Sequence, residues 1–153
     1  MTRAYVALGA NLGDRERTIR AALVALDAAP GVRVAAVSTL RETDPVGYLD
    51  QPRFLNGAAA LETSLAPREL LDLLLAVEQG LGRAREGVPP QGPRTIDLDL
   101  LLFGTARIEE PGLQIPHPRL HERRFVLEPL AELDPSLEVP GKGEIQTLLA
   151  ELH

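Results

Sequence analysis

The chain of 153 residues lacks cysteine and tryptophan, and it has no long apolar run. Without cysteine, disulfide scaffolds, thiolate metal sites and cysteine nucleophiles are excluded. No apolar stretch approaches the roughly 18 residues that a membrane-spanning helix needs. The polar residues Asp14 and Arg15 closely follow the first apolar run, which leaves no room for a signal peptide. We therefore expect a cytoplasmic protein without a membrane partner.

The chain also lacks an excess of positive charge. It has 16 lysines and arginines against 22 aspartates and glutamates, which gives a net charge of −6 at pH 7. Because nucleic acids bind basic surfaces, we expect no nucleic-acid partner. The arginines instead form two local groups, which suit a small polyanionic ligand. These groups are Arg83, Arg85 and Arg94, and Arg119, Arg123 and Arg124.

The apolar patterns predict a single domain, residues 1–153, that begins with the element order β-α-β-β-α-β. This order is typical of a ferredoxin-like α+β sandwich with an antiparallel-rich sheet. The predicted elements are strands at 4–8, 32–38 with an irregular continuation to 42, 54–62 and from 97 onward, and helices at 14–28 and 67–81.

The rest of the chain is predicted to form a C-terminal elaboration of this sandwich. Its expected elements are short strands near 107–108 and 137–139, a loop at 111–118, and helices at 124–133 and 144–152.

Two segments between the predicted elements lack any apolar periodicity. Residues 43–52 are rich in turn-forming residues, which predicts an ordered surface loop. Residues 83–93 contain three prolines and form an unusually long connection for a compact domain. We therefore interpret the second segment as a candidate lid over a site.

Asp97 and Asp99 are two carboxylates separated by one residue in an otherwise apolar segment. In a strand they share one face, with Cα atoms roughly 6 to 7 Å apart, while Leu98 and Leu100 occupy the other. Hard cations would offset the repulsion between the two charges, and Mg²⁺ binds one or two carboxylates together with substrate phosphates. Alternatively, one aspartate faces solvent on an edge strand and the other pairs with an arginine.

Two aromatic residues and one amide are further candidates. Phe54 and Phe125 are two of only three phenylalanines, and they either pack in the core or enclose a flat heteroaromatic substrate. Asn56 follows Phe54 by two residues and so shares its strand face, where its amide could bind such a ring. His117 lies between two prolines, and its role is open between structure and function. The turn from Gly9 to Asp14 lacks the complete pattern of a phosphate-binding loop, which favours a plain strand-to-helix turn.

Several sequence blocks together resemble the 6-hydroxymethyl-7,8-dihydropterin pyrophosphokinase family. The resemblance covers nearly the whole chain, and the block GPRTIDLD is highly specific to the family. The matching blocks are residues 4–13 (AYVALGANLG), 43–47 (TDPVG), 50–56 (DQPRFLN), 92–99 (GPRTIDLD) and 115–118 (IPHP).

The resemblance implies one pyrophosphokinase domain that transfers the β,γ-diphosphate of ATP to a pterin hydroxymethyl group. It implies two Mg²⁺ ions held by Asp97 and Asp99, and catalytic roles for Arg83, Arg94 and Asp97. The implied pterin contacts are Thr43, Val46, Gly47, Phe54, Asn56, Asp97 and Phe125. The implied ATP contacts are Glu78, Arg83, Arg85, Arg94, His117 and Arg123.

Two other functions remain open from the residues alone. The first is a non-catalytic sensor that binds a nucleotide on a ferredoxin-like fold. The second is an ordinary kinase that transfers only the γ-phosphoryl group of ATP. For the pyrophosphokinase we expect a monomer whose partners are the small molecules ATP and 6-hydroxymethyl-dihydropterin.

Overall fold

The computed structural model describes residues 1–45, 49–82 and 95–152. A short 3₁₀ turn at Leu120–Glu122 precedes the third helix. In chain order, the strands and helices are β1 (Thr2–Ala10), α1 (Arg15–Ala28), β2 (Val32–Val37), β3 (Arg41–Thr43), β4 (Phe54–Thr63), α2 (Pro67–Gly80), β5 (Asp97–Phe103), β6 (Ile108–Glu110), β7 (Leu113–Ile115), α3 (Arg124–Leu133), β8 (Glu138–Val139), β9 (Gly143–Glu144) and α4 (Ile145–Ala150).

The central sheet has the strand order β2-β4-β1-β5, and β3 pairs with one end of β4. All neighbouring strands in it are antiparallel. Helix α1 connects β1 to β2, and α2 connects β4 to β5. This is the predicted β-α-β-β-α-β sandwich, so the fold class is confirmed. In the described ranges, no helix combines the length and apolar character needed to cross a membrane.

Helices α1 and α2 cover one face of the sheet with aliphatic side chains. The Asp14 carboxylate caps α1 by accepting the N–H of Arg17 at 3.2 Å. Ile19 and Leu26 of α1 and Leu74 of α2 are fully buried in the core on this face. Their burial follows the helical spacing of apolar residues in the sequence.

Helices α3 and α4 belong to the C-terminal elaboration and pack on the opposite face. Leu127 and Leu130 of α3 and Ile145 of α4 form a second core with Tyr5 and Leu102 of the sheet. The first turn of α3 lies beside a part of the sheet where a pocket replaces this core. The C-terminal elaboration therefore determines where the open part of the sheet lies.

The second predicted strand is interrupted in the structure. β2 ends at Val37 and β3 begins only at Arg41, so the predicted continuation to residue 42 is irregular. The reason lies at Ser38, whose N–H donates to the carbonyl oxygen of Ala58 at 2.9 Å while its hydroxyl oxygen accepts the N–H of the same residue at 2.9 Å. A side chain thus replaces a backbone acceptor, which breaks the regular pairing.

The prediction of a loop at residues 111–118 is wrong for the first half of this segment. Residues Leu113–Ile115 form β7, which pairs with β6 through a turn at Gly112, where φ is +75°. Leu113 and Ile115 are buried and Gln114 is exposed, which is the alternation of a strand with one covered face. Three residues are too few for this alternation to stand out in the sequence.

Candidate active site

Two rows of paired residues cross β4, β1 and β5 on the face that α3 and α4 partly cover. Directly opposed residues of antiparallel strands share a face, so each row presents its side chains together. Each row has a polar residue on β5 and a small residue in the centre. The rows are Asn56–Gly9–Asp97 and Ala58–Ala7–Asp99.

A pocket of about 250 Å³ lies over these two rows. Both carboxylates, Asp97 and Asp99, line it, and so does Asn56. The rings of Phe54 on β4 and Phe125 on α3 also line the pocket and are only half-buried. The structure thus brings together two acids, one amide and two aromatic rings that the sequence places up to 71 residues apart.

The amide of Asn56 is held in a fixed orientation. Its Nδ2 donates a hydrogen bond to the Oγ1 of Thr43, which lies on the neighbouring strand β3 and also lines the pocket. Its Oδ1 lies close to Gly9, where a Cβ atom would approach it to 2.9 Å. Gly9 therefore leaves the space in which the amide oxygen sits above the sheet.

His117 lines the same pocket, and its surroundings favour the neutral imidazole. Burial lowers its pKa from the ordinary 6.5, and the positive charge of Arg123 adds to this effect, against the opposing influence of Asp97. Its Nδ1 accepts the N–H of Arg119 at 3.2 Å, so the proton of the neutral ring is on Nε2. The ring can therefore donate one hydrogen bond to an anionic ligand.

Arg123 supplies positive charge to the pocket wall. Its guanidinium carbon lies 5.7 Å from the centre of the Phe125 ring, within the range of a cation–π contact. One side chain thus orients the other at the start of α3. Both line the pocket, so a cation and an aromatic ring are offered to the same ligand.

A network of ion pairs at the rim was not found by sequence reasoning. Glu42 binds Arg15 at 2.5 Å and Arg53 at 3.2 Å, and Arg53 also reaches Asp44 at 3.2 Å. The bond from Arg15 lowers the pKa of the Glu42 carboxyl. Because these groups are largely exposed, the network adds little stability, but it ties down the end of β3 beside Asp44, which lines the pocket. Its members come from separate segments, so no local pattern could have predicted it.

The two aspartates form a donor set that fits Mg²⁺ bound with phosphate. Among residues 1–45, 49–82 and 95–152, no group of three or more histidines, cysteines and acids could hold a metal ion by itself. Mg²⁺ commonly takes only one or two carboxylates and completes its shell with water and substrate phosphates. Two carboxylates on one face of β5, lining an open pocket, meet this requirement.

One predicted contact residue lies away from this pocket, and five others fall outside the described residues. Glu78 is buried, and it does not line this pocket; its Oε2 accepts the N–H of Leu98 at 2.7 Å. Five further predicted residues lie outside the described residues, and so does the whole of the predicted lid. They are Val46, Gly47, Arg83, Arg85 and Arg94.

This chain is similar to known proteins in both fold and sequence. A crystal structure of an HPPK-DHPS protein in complex with substrates has the same fold, with a TM-score of 0.75 at 13% identity, over 97% of this chain and 43% of that one. The pyrophosphokinase of Pseudomonas aeruginosa that acts, by its name, on 2-amino-4-hydroxy-6-hydroxymethyldihydropteridine is 50% identical over 148 residues, 97% of this chain and 90% of that protein. The protein of the same name from Bacillus subtilis is 53% identical over 135 residues, 88% of this chain and 80% of that protein.

A family model covers most of the chain as well. The family described as 7,8-dihydro-6-hydroxymethylpterin-pyrophosphokinase (HPPK) matches residues 5–135, which include every pocket residue described above. With the two bacterial relatives, this match establishes that the chain belongs to the 7,8-dihydro-6-hydroxymethylpterin-pyrophosphokinase family.

Proposed function

We propose that this protein transfers the β,γ-diphosphate of ATP to the hydroxymethyl group of 6-hydroxymethyl-7,8-dihydropterin and releases AMP, in folate biosynthesis. The observation that carries the proposal is the shared pocket, where Asp97 and Asp99 lie on the same sheet face as Asn56. A metal-binding acid pair for a triphosphate thus adjoins an amide and two aromatic rings for a planar heterocycle. The names of the bacterial relatives support the same substrate.

The pterin is proposed to lie against the sheet above Gly9. The rings of Phe54 and Phe125 would contact its faces, and the amide of Asn56 would pair with the polar edge of the heterocycle. Thr43 would hold that amide in place through the hydrogen bond already present. Asp97, in the same row as Asn56, could accept a further hydrogen bond from the substrate. Val46 and Gly47 complete the proposed pterin contacts.

The triphosphate is proposed to lie beside the acid pair. Asp97 and Asp99 would hold two Mg²⁺ ions, which would neutralise phosphate charge and lower the pKa of the attacking hydroxyl. Arg123 would pair with phosphate oxygens, and the Nε2–H of His117 would donate to one of them. Arg83 and Arg94 are proposed to stabilise the transferring group, with Arg85 as a further contact on the ATP side.

The reaction is a direct in-line displacement at the β-phosphorus. The hydroxymethyl oxygen forms a bond to this phosphorus, and the bond to the oxygen that bridges the α- and β-phosphates breaks. AMP leaves with the bridging oxygen, and the hydroxyl proton passes to solvent. No histidine base is needed, because the metal ions would lower the pKa of the attacking hydroxyl, and His117 would instead donate a hydrogen bond from Nε2. The protein is proposed to act as a monomer.

One product assay tests the proposal against its rivals. The protein is mixed with Mg²⁺, ATP and 6-hydroxymethyl-7,8-dihydropterin, and the nucleotides are separated by chromatography. Formation of AMP in equal amount to pterin diphosphate is the expected result. ADP would indicate an ordinary kinase, and binding of ATP without turnover would indicate a nucleotide sensor; either outcome would contradict the proposal.

A further inference from the structure

Glu78 is an unusual residue on the buried side of α2. The buried residues of this helix include Leu70 and Leu74, and Glu78 continues their spacing of four. The sequence thus places a carboxylate where the helical pattern calls for an apolar side chain. Glu78 is only 1% exposed, and a buried carboxylate is costly unless hydrogen bonds stabilise it.

The carboxylate of Glu78 binds the edge of β5. In the described part of the sheet, β5 is a terminal strand with β1 as its sheet neighbour, so the backbone groups on its other side need partners from elsewhere. The Oε2 of Glu78 accepts the N–H of Leu98 at 2.7 Å. Three residues later, the carbonyl oxygen of Leu101 accepts the N–H of His117 at 2.9 Å. The edge of β5 is therefore held at two points.

The first of these points lies within the acid pair. Leu98 is the residue between Asp97 and Asp99, and its N–H belongs to the peptide group that follows Asp97. A bond that holds this peptide group constrains the strand backbone at the acid pair, and with it the directions in which the aspartate side chains leave the strand. Mg²⁺ demands nearly ideal octahedral geometry, so small errors in these directions weaken binding.

We propose that Glu78 is a positioning residue for the metal-binding pair, which acts through the Leu98 peptide group and not by contact with ATP. This inference rests on the proposed function only for the identity of the metal-bound ligand. The hydrogen bond and the burial that carry it belong to the protein itself. It replaces the ATP contact implied by the family resemblance with an indirect role.

Three variants of Glu78 separate the effect of side-chain length from the effect of charge. Glu78→Gln keeps an oxygen at the same reach without the charge, Glu78→Asp keeps the charge at shorter reach, and Glu78→Ala removes both. Asp72→Ala is the matched control, because Asp72 is an exposed carboxylate on the same helix. Thermal melting establishes that each variant is folded. If the alanine variant does not fold, the comparison of glutamine with aspartate carries the test.

Two readouts need no turnover. The first is hydrogen exchange of the Leu98 amide, followed by NMR. The second is the affinity for Mn²⁺ in the presence of α,β-methylene-ATP, measured by electron paramagnetic resonance. We expect Glu78→Ala to speed exchange at Leu98 and to weaken Mn²⁺ binding about 10- to 100-fold, the usual effect of removing a group that orients metal ligands. Glu78→Gln should stay closer to native than Glu78→Asp in both the exchange rate at Leu98 and the Mn²⁺ affinity. Asp72→Ala should leave both quantities at their native values.

Three results would overturn the inference. Unchanged exchange at Leu98 in Glu78→Ala would mean that the bond does not hold the strand. Faster exchange with unchanged Mn²⁺ affinity would mean that the bond serves stability alone. If the aspartate variant keeps slow exchange at Leu98 and tight Mn²⁺ binding better than the glutamine variant does, the charge of residue 78 matters and the length of its side chain does not. If the native protein releases no AMP while exchange and Mn²⁺ affinity still change together, the proposed function fails and the positioning role stands.

Discussion

The two faces of the central sheet differ in what covers them. On one face, α1 and α2 bury large aliphatic side chains such as Ile19 and Leu74 along the sheet. On the other, α3 and α4 cover one part, and the uncovered part presents the small residues Gly9 and Ala7 beside two carboxylates. Small side chains bury little area, so this part contributes little to the core and leaves space for a ligand. The closed face therefore provides stability, and the open part of the other face provides the site.

The strongest way to break this comparison is to remove one carboxylate from the open face. Asp97→Asn and Asp99→Asn should each lower turnover by about a thousandfold or more, because several kcal/mol of charge stabilisation by the metal ions would be lost. The melting temperature should stay near the native value. Asp72→Asn on the exposed side of α2 is the control and should retain activity. Native turnover in both pocket variants would refute the two-metal mechanism.

The converse test creates a cavity under the closed face. Leu74 is fully buried, so Leu74→Ala should lower the free energy of unfolding by about 2–5 kcal/mol. Leu75→Ala is the matched control on the same helix, since Leu75 is 37% exposed and should cost much less. Urea denaturation gives both values. At a temperature where the variant is folded, its Michaelis constants should stay near native. A large catalytic defect without loss of stability would contradict the division between the faces.

The sequence predicts the two faces of the sheet to different extents, because one depends on local periodicity and the other depends partly on the register between strands. The closed face depends on helical and strand periodicity, which the sequence displays directly at Ile19 and Leu74. Asp97 and Asp99 were predictable for the same reason, because alternation within one strand places them together. The side-by-side position of Asn56 and Asp97 was not, because it requires the register of two other strands against β1.

Other parts of the site depend on long-range packing. The position of His117 in the pocket wall follows from β7, a strand too short to predict, and from its backbone bond to β5. The ion pairs around Glu42 join segments 27 and 11 residues away, and the sequence carries no pattern for them. The role of Glu78 could have been suspected from a carboxylate at a buried helical position, but its partner Leu98 required the structure.

A smaller effect is expected from adding one methyl group to the open face. Gly9→Ala would place a Cβ 2.9 Å from the Oδ1 of Asn56, so the amide must move away from its bond with Thr43. We expect the Michaelis constant for the pterin to rise about tenfold, the cost of one weakened hydrogen bond, with a much smaller change for ATP. Steady-state kinetics with each substrate varied in turn measure the two constants.

The control for this substitution is Gly80→Ala at the end of α2, where an added Cβ meets nothing within 4 Å. It should leave both constants unchanged and stabilise the helix slightly, since alanine favours helix more than glycine does. An equal rise in both Michaelis constants for Gly9→Ala would indicate a general distortion of the sheet. That result would separate the small residues of the open face from pterin recognition.

The smallest expected effect is on the pH dependence of stability, through the protonation of His117 in the pocket wall. Burial lowers the folded-state pKa below 6.5, so between the two pKa values the unfolded chain binds more protons. The contribution of His117 to stability is therefore present above about pH 6.5 and is lost as pH falls through the folded-state pKa. His117→Gln should flatten the rise of unfolding free energy with pH in this window, as measured by urea denaturation.

A direct titration of the same ring sharpens this last test. NMR of the His117 ring in the free protein should give a pKa below 6.5, and α,β-methylene-ATP with Mg²⁺ should raise it, because phosphate charge stabilises the imidazolium. A pKa of 6.5 or above in the free protein would contradict the burial of the ring. An unchanged pKa on nucleotide binding would place the triphosphate away from His117, and the acid pair alone would then mark its position in the pocket.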